Sequence, residues 1–110
     1  MTRGLTSLLA ALGAAACGAA PPPVHLEPGP PLALAAAPGV RINARLKPAL
    51  ELADGTVLRF DSPHLTPDSA YFAAAPTVTP PAGARRGTLR LSVCLPRERI
   101  CRLLALPVTW

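Results

Sequence analysis

The sequence predicts an all-β domain, a small antiparallel β-sandwich over residues 40–110. Three observations carry this. Val40, Ile42, Ala44 and Leu46 alternate with Arg41, Asn43, Arg45 and Lys47, the period of two that marks a half-buried strand. The same period returns later, with Leu89, Leu91, Val93 and Leu95 on one face and, further on, Leu104, Leu106, Val108 and Trp110. Turn signals separate these runs, and no long helical pattern interrupts them.

The chain before residue 40 reads differently. Met1 to Ala16 has the layout of a secretory signal peptide: Arg3 supplies the positive end, Leu5 to Ala16 the apolar stretch, and no acidic residue appears before Glu27. That apolar run is too short for a permanent membrane helix, which needs about 20 residues. Ala14-Ala15-Ala16-Cys17-Gly18 then resembles a bacterial lipobox, although Ala14 stands where the motif has leucine. The resemblance implies a lipid on Cys17 as the mature N-terminus; cleavage that leaves Cys17 unmodified is the alternative. Residues 18–39, with Pro21, Pro22, Pro23, Pro28, Pro30, Pro31 and Pro38, read as a Pro/Ala-rich tether of polyproline character. His25 is expected to be a solvated residue of that tether.

From Val40 each element has a local reason. Pro48 ends the first strand, and Leu50 and Leu52 begin a second. Asp54-Gly55 is a two-residue hairpin signal, because both residues tolerate positive φ, and Thr56 to Phe60 is expected to return as the partner strand. Asp61 to Pro67, with His64, is turn-rich. Thr66-Pro67-Asp68 suits one helical turn with Thr66 as its cap, whereas Tyr71 to Thr79 suits an edge strand stopped by Pro80. Both readings stay open. Pro80 to Gly83 forms a loop, followed by strands over Gly87 to Leu95 and Ile100 to Trp110. A domain of about 70 residues has a marginal core and gains from a covalent staple.

Composition excludes several functions. The formal charge of +5 comes from scattered arginines mixed with Asp54, Asp61, Asp68 and Glu98, with no basic stripe carrying stacking aromatics, so nucleic acid is not an expected partner. Two cysteines in the domain and two distant histidines have no zinc-ligand spacing. No serine has a recognisable His/Asp pairing and no Gly-rich phosphate loop is present, so no cofactor is expected.

The remaining chemistry lies in Cys94 and Cys101. If the last two strands pair around Pro96 to Arg99, these cysteines come nearly opposite each other. Opposed Cβ atoms lie about 4.5–5.5 Å apart, and a disulfide requires about 3.5–4.5 Å, so a small adjustment closes the bond. In the alternation Cys94 falls with Arg90 and Ser92 on the polar face, where a partner thiol would reach it. Arg97, Arg99 and Arg102 flank the pair, and nearby cations favour the thiolate that attacks and leaves in exchange. A purely structural bridge is the competing reading, since a short ring contributes about 2–3 kcal/mol through the unfolded state.

The run Leu89-Arg-Leu-Ser-Val-Cys94 through Cys101, ending in Val108-Thr109-Trp110, resembles the end of the N-terminal immunoglobulin-like domain of DsbD-type thiol:disulfide interchange proteins. Ile42-Asn43-Ala44 with Lys47-Pro48 is similar to the opening strand of small exported relatives. The resemblance spans residues 40–110 and implies an immunoglobulin-like β-sandwich facing the periplasm. Cys94 and Cys101 would be its exchanging, catalytic pair, and its partners thioredoxin-like or disulfide-bearing periplasmic proteins. The cysteine spacing is one residue longer than is usual there, and Arg102 replaces an aromatic. With Cys17, the expectation is a lipoprotein anchored to a membrane of the bacterial cell envelope. The alternative is a noncatalytic binding or scaffolding lipoprotein whose disulfide only stabilises it.

Overall fold

The computed structural model describes residues 22–110. The expected signal peptide over residues 1–16 and Cys17 lie outside the described residues. Eight strands follow in order: β1 Val24–Glu27, β2 Leu32–Ala36, β3 Arg41–Ile42, β4 Ala49–Leu52, β5 Val57–Arg59, β6 Thr77–Val78, β7 Arg86–Cys94 and β8 Arg102–Thr109. No helix forms among the described residues.

The strands make two antiparallel sheets, one ordered β1-β2-β6 and the other built on β7. One edge of β7 pairs with β8 along its length; the other pairs first with β4, which carries β5, and then with β3. Val24, Leu32 and Leu34 from the first sheet share one buried cluster with Ile42, Leu50, Phe60, Leu89, Leu91 and Val93. The small β-sandwich expected from the alternation is therefore the observed fold class. Asp61 and Thr77 exchange two backbone hydrogen bonds, of 3.1 and 2.9 Å, and so stitch the chain leaving β5 to β6.

The tether expected over residues 18–39 is corrected from Val24 onward. Those residues fold as a β-hairpin, with Val24 paired to Ala36 and Leu26 to Leu34. Alternation explains it: Val24, Leu26, Leu32 and Leu34 turn inward, while His25 and Glu27 face solvent. The prolines punctuate these strands rather than extending them, since Pro28, Pro30 and Pro31 occupy the connection and Pro38 follows β2. Valine and leucine anchor this hairpin, without an aromatic.

Three further expectations change in detail. The strand expected over Val40 to Lys47 pairs regularly only at Arg41–Ile42. Asn43 Oδ1 accepts the backbone N–H groups of Arg45 and Leu46 at 2.8 and 3.1 Å, a local turn that competes with the ladder and leaves Leu46 exposed. Within the β4–β5 connection, Ala53-Asp54-Gly55 forms a three-residue loop closed by the Leu52 N–H bond to the Thr56 carbonyl, and Gly55 alone in it has positive φ, at 90°. Gly55 N–H donates to the Leu52 carbonyl at 3.0 Å, and Thr56 N–H donates to Asp54 Oδ1 at 2.9 Å. Neither the helical turn nor the long edge strand forms between residues 61 and 82. Ser69 N–H closes a turn on the Thr66 carbonyl, isolated bridges hold Tyr71 and Phe72, and β6 covers only Thr77–Val78.

Folding of the first hairpin into the core has a direct test. Leu34→Ala removes a fully buried side chain and should cost about 2–5 kcal/mol, measured by urea unfolding. On a free tether the same change would be neutral.

Candidate functional site

The site is built by the β7–β8 hairpin. The register runs unbroken from Arg86↔Thr109 to Val93↔Arg102, so the next facing pair is Cys94 and Cys101. Trp110 N–H bonds to the Arg85 carbonyl at 2.9 Å, which fixes the alternation along the ladder. Counting from it, Val93 and Arg102 are a hydrogen-bonded pair, and Cys94 and Cys101 fall in the closer, non-hydrogen-bonded kind. Their Cα atoms lie 4.1 Å apart and the two sulfurs form the expected disulfide.

Leu95 to Glu98 makes the tight turn beyond the bond, with Glu98 N–H reaching the Leu95 carbonyl at 3.2 Å. Pro96 occupies the second position, and Arg97 the third with φ of 70°. That is the pattern of a type II turn, which favours glycine where Arg97 stands. The turn also rests on the N-terminal hairpin's exit: Gly39, at φ 81°, approaches Pro96 so closely that an added Cβ would sit 2.9 Å from Pro96 Cγ.

The two cysteines have unequal surroundings. Cys94 is buried, 1% exposed, which corrects its placement on an open polar face. Cys101 is half-buried. The reason is a cover that the alternation does not reveal. Arg41 pairs with Cys94 across the β3–β7 ladder, and its guanidinium carbon stands 4.4 Å over the Tyr71 ring centroid. The Tyr71 hydroxyl lies 3.6 Å from Cys94 Sγ and donates toward it.

Tyr71 is held by its own loop. Its N–H donates to Thr66 Oγ1 at 3.2 Å, and its carbonyl accepts the Thr66 N–H at 2.9 Å. Asp68 Oδ1 takes the Thr66 hydroxyl at 2.7 Å and the Ala70 N–H at 3.1 Å. These bonds, the hydroxyl first, hold the Asp68 carboxyl below its ordinary value, with the Arg45 charge assisting.

The three flanking arginines do not act alike. Arg102 is committed to Glu98, through Nε and Nη2 at 3.1 Å each. Arg97 and Arg99 are exposed and make no ion pair among the described residues. His25 and His64 are exposed, and no group of His, Cys, Asp or Glu able to hold a metal occurs among the described residues. Arg41 and Tyr71 are the site residues that sequence reasoning missed. Tyr71 is the chain's sole tyrosine, a signal too general to place it over a sulfur.

A second feature lies on the outer face of the larger sheet, where Leu46, Val57 and Leu103 line a groove of about 420 Å³ crossed by the Arg90–Glu51 ion pair. Glu51 is its single carboxylate and is paired with Arg90, and no cysteine, serine or histidine lines it. No protein-family model, curated protein or solved structure matches this chain.

Three outcomes are expected. Replacing both cysteines by alanine should lower stability by about 2–3 kcal/mol, read by denaturant unfolding. Arg97→Gly should raise it by about 1 kcal/mol, because glycine relieves the left-handed backbone and the cost is only partly returned by its freer unfolded chain. For Asp68 the folded value lies below the ordinary 3.8, so its stabilisation is complete above pH 3.8 and disappears as pH falls through the lower folded value. The Ala70 amide resonance should therefore shift on acidification below 3.8, and Asp68→Asn should abolish that titration.

Proposed function

We propose that the domain takes part in periplasmic thiol–disulfide exchange through Cys94 and Cys101. One observation supports this above the others: the pair is asymmetric, with Cys101 approachable and Cys94 enclosed beneath Tyr71. Exchange proceeds in line, so one sulfur must be open to attack while the other leaves.

A thiolate of a donor dithiol attacks Cys101 Sγ, forming a mixed disulfide as the Cys94–Cys101 bond breaks. Cys94 Sγ departs with the electron pair, and the Tyr71 hydroxyl is placed to donate a hydrogen bond to that developing thiolate. The donor's second thiol then resolves the mixed disulfide and leaves oxidised. The domain gains two electrons and, once both sulfurs are protonated, two protons. Running in reverse, the reduced pair passes those electrons to a disulfide-bearing protein. In this reading the chain is an envelope lipoprotein, its domain held at a membrane by a lipid on Cys17.

The second reading is a noncatalytic binding or scaffolding lipoprotein with a structural bridge. The burial of Cys94 favours it, because a shielded sulfur slows attack.

A redox titration separates the two. A labile pair should equilibrate above about −300 mV, whereas a structural one lies below that value. In the Cys94→Ser variant the Cys101 thiolate should in addition attack a disulfide-bearing acceptor, whose second sulfur leaves as a thiolate, and hold it as a mixed disulfide, read as a mass increase that dithiothreitol reverses. Mass spectrometry of the mature N-terminus tests the lipid, for which an unmodified Cys17 is the contrary result.

A further inference from the structure

We propose that the hairpin tip is a recognition surface, in which Ile100 gives an apolar contact and Arg97 and Arg99 select a protein thiol bordered by carboxylates. The inference rests on the exchange reading and names its partner class.

Three observations converge on the tip. Ile100 is 79% exposed, the most exposed of the large hydrophobic residues identified, and it immediately precedes the approachable Cys101. A large apolar side chain held out beside a reactive sulfur meets whatever approaches that sulfur. Secondly, the charge at the tip is unbalanced. Glu98, the sole acidic residue of the segment, is taken by Arg102, which leaves Arg97 and Arg99 free of ion pairs among the described residues. Two uncompensated cations within a few residues of the sulfur raise the local concentration of anionic partners and exclude cationic ones.

Thirdly, the tip is set rather than loose. The disulfide closes its base, the Leu95–Glu98 turn closes its end, and Pro96 bears on Gly39. Arg97 occupies the left-handed position of that turn, where glycine would fold with less strain. A strained residue at the apex of a charged turn does nothing for folding that glycine would not do better, which favours a role in contact.

The exchange itself is that of the proposed function: the partner dithiol is oxidised as the Cys94–Cys101 bond accepts two electrons and two protons. The tip adds selectivity among dithiols. Small neutral thiols bring no carboxylates or apolar flank, so the tip offers them no selective contact beyond its effect on the thiolate itself.

The test uses the full chain, oxidised, with two probe peptides of equal length. Each has a Cys-Gly-Gly-Cys centre with leucine beside the attacking cysteine; one is flanked by glutamates and the other by lysines. Each rate is divided by that peptide's rate on hydroxyethyl disulfide, which removes the effect of the flanks on thiol reactivity. At low salt the glutamate peptide should reduce the protein about tenfold faster than the lysine peptide, and the ratio should approach unity in high salt. Arg97→Glu/Arg99→Glu should invert the preference, a ratio between two peptides from which any common change in sulfur reactivity cancels, and Ile100→Ser should slow both peptides more than it slows dithiothreitol. Arg99→Glu alone, which leaves the Arg97 turn intact, should weaken the preference and serves if the double variant does not fold. Equal normalised rates for the two peptides overturn the inference while the exchange reading stands. A bond that neither the peptides nor dithiothreitol opens in the folded protein overturns both.

Discussion

Strand β7 carries backbone ladders on both of its edges, and the rest of the larger sheet depends on that double pairing. Its outward-reaching amides and carbonyls are taken by β8 on one side and by β4 and β3 in turn on the other. Leu89, Leu91 and Val93 point from it into the core, where Leu50 from β4, Ile42 from β3 and the first sheet meet them. A buried strand satisfies its polar backbone only through its neighbours. Loss of β7 would thus unpair three strands at once and open the apolar cluster.

The cysteine bridge is an outgrowth of that strand. It sits where the β7–β8 ladder ends, one pair beyond Val93↔Arg102, and closes the hairpin at the point most able to fray. The cover over it comes from elsewhere in the chain. Arg41 arrives on β3, because that short strand pairs with the last two residues of β7. Tyr71 arrives from a loop organised by Thr66 and Asp68, and the isolated Asn43↔Tyr71 bridge ties it to the chain following β3. Separate local structures are therefore needed to enclose a single sulfur.

That division explains what the sequence reveals. The alternation in Leu89 to Val93 and Leu104 to Val108 is local, and the connection between those runs sets their register, so the pairing of Cys94 with Cys101 is legible from residue spacing alone. The burial of Cys94 is not legible, since the residues enclosing it lie far away and reach it through pairings that no short pattern encodes. The hairpin of Val24 to Ala36 is obscured for a different reason. Prolines dominate the composition there, yet they lie outside the paired residues, where they shape the connections and leave the alternating Val and Leu free to pair. The turn after Ile42 shows a third case: one asparagine side chain, bonding to two amides, diverts a run whose apolar period continues past it.

Pro107 gives β8 a property of its own. The alternation fixed by the Trp110 N–H bond turns the backbone of Leu103, Ala105, Pro107 and Thr109 away from β7, along the outer edge of the sheet. An eight-residue edge of this kind is a template on which strands from other molecules can grow. Proline at one of those outward positions costs the internal ladder nothing, because its missing donor would have pointed away from β7. It does break the row of donors that an incoming strand would need, so the same residue that is silent within the fold discourages aggregation of the folded protein at high concentration.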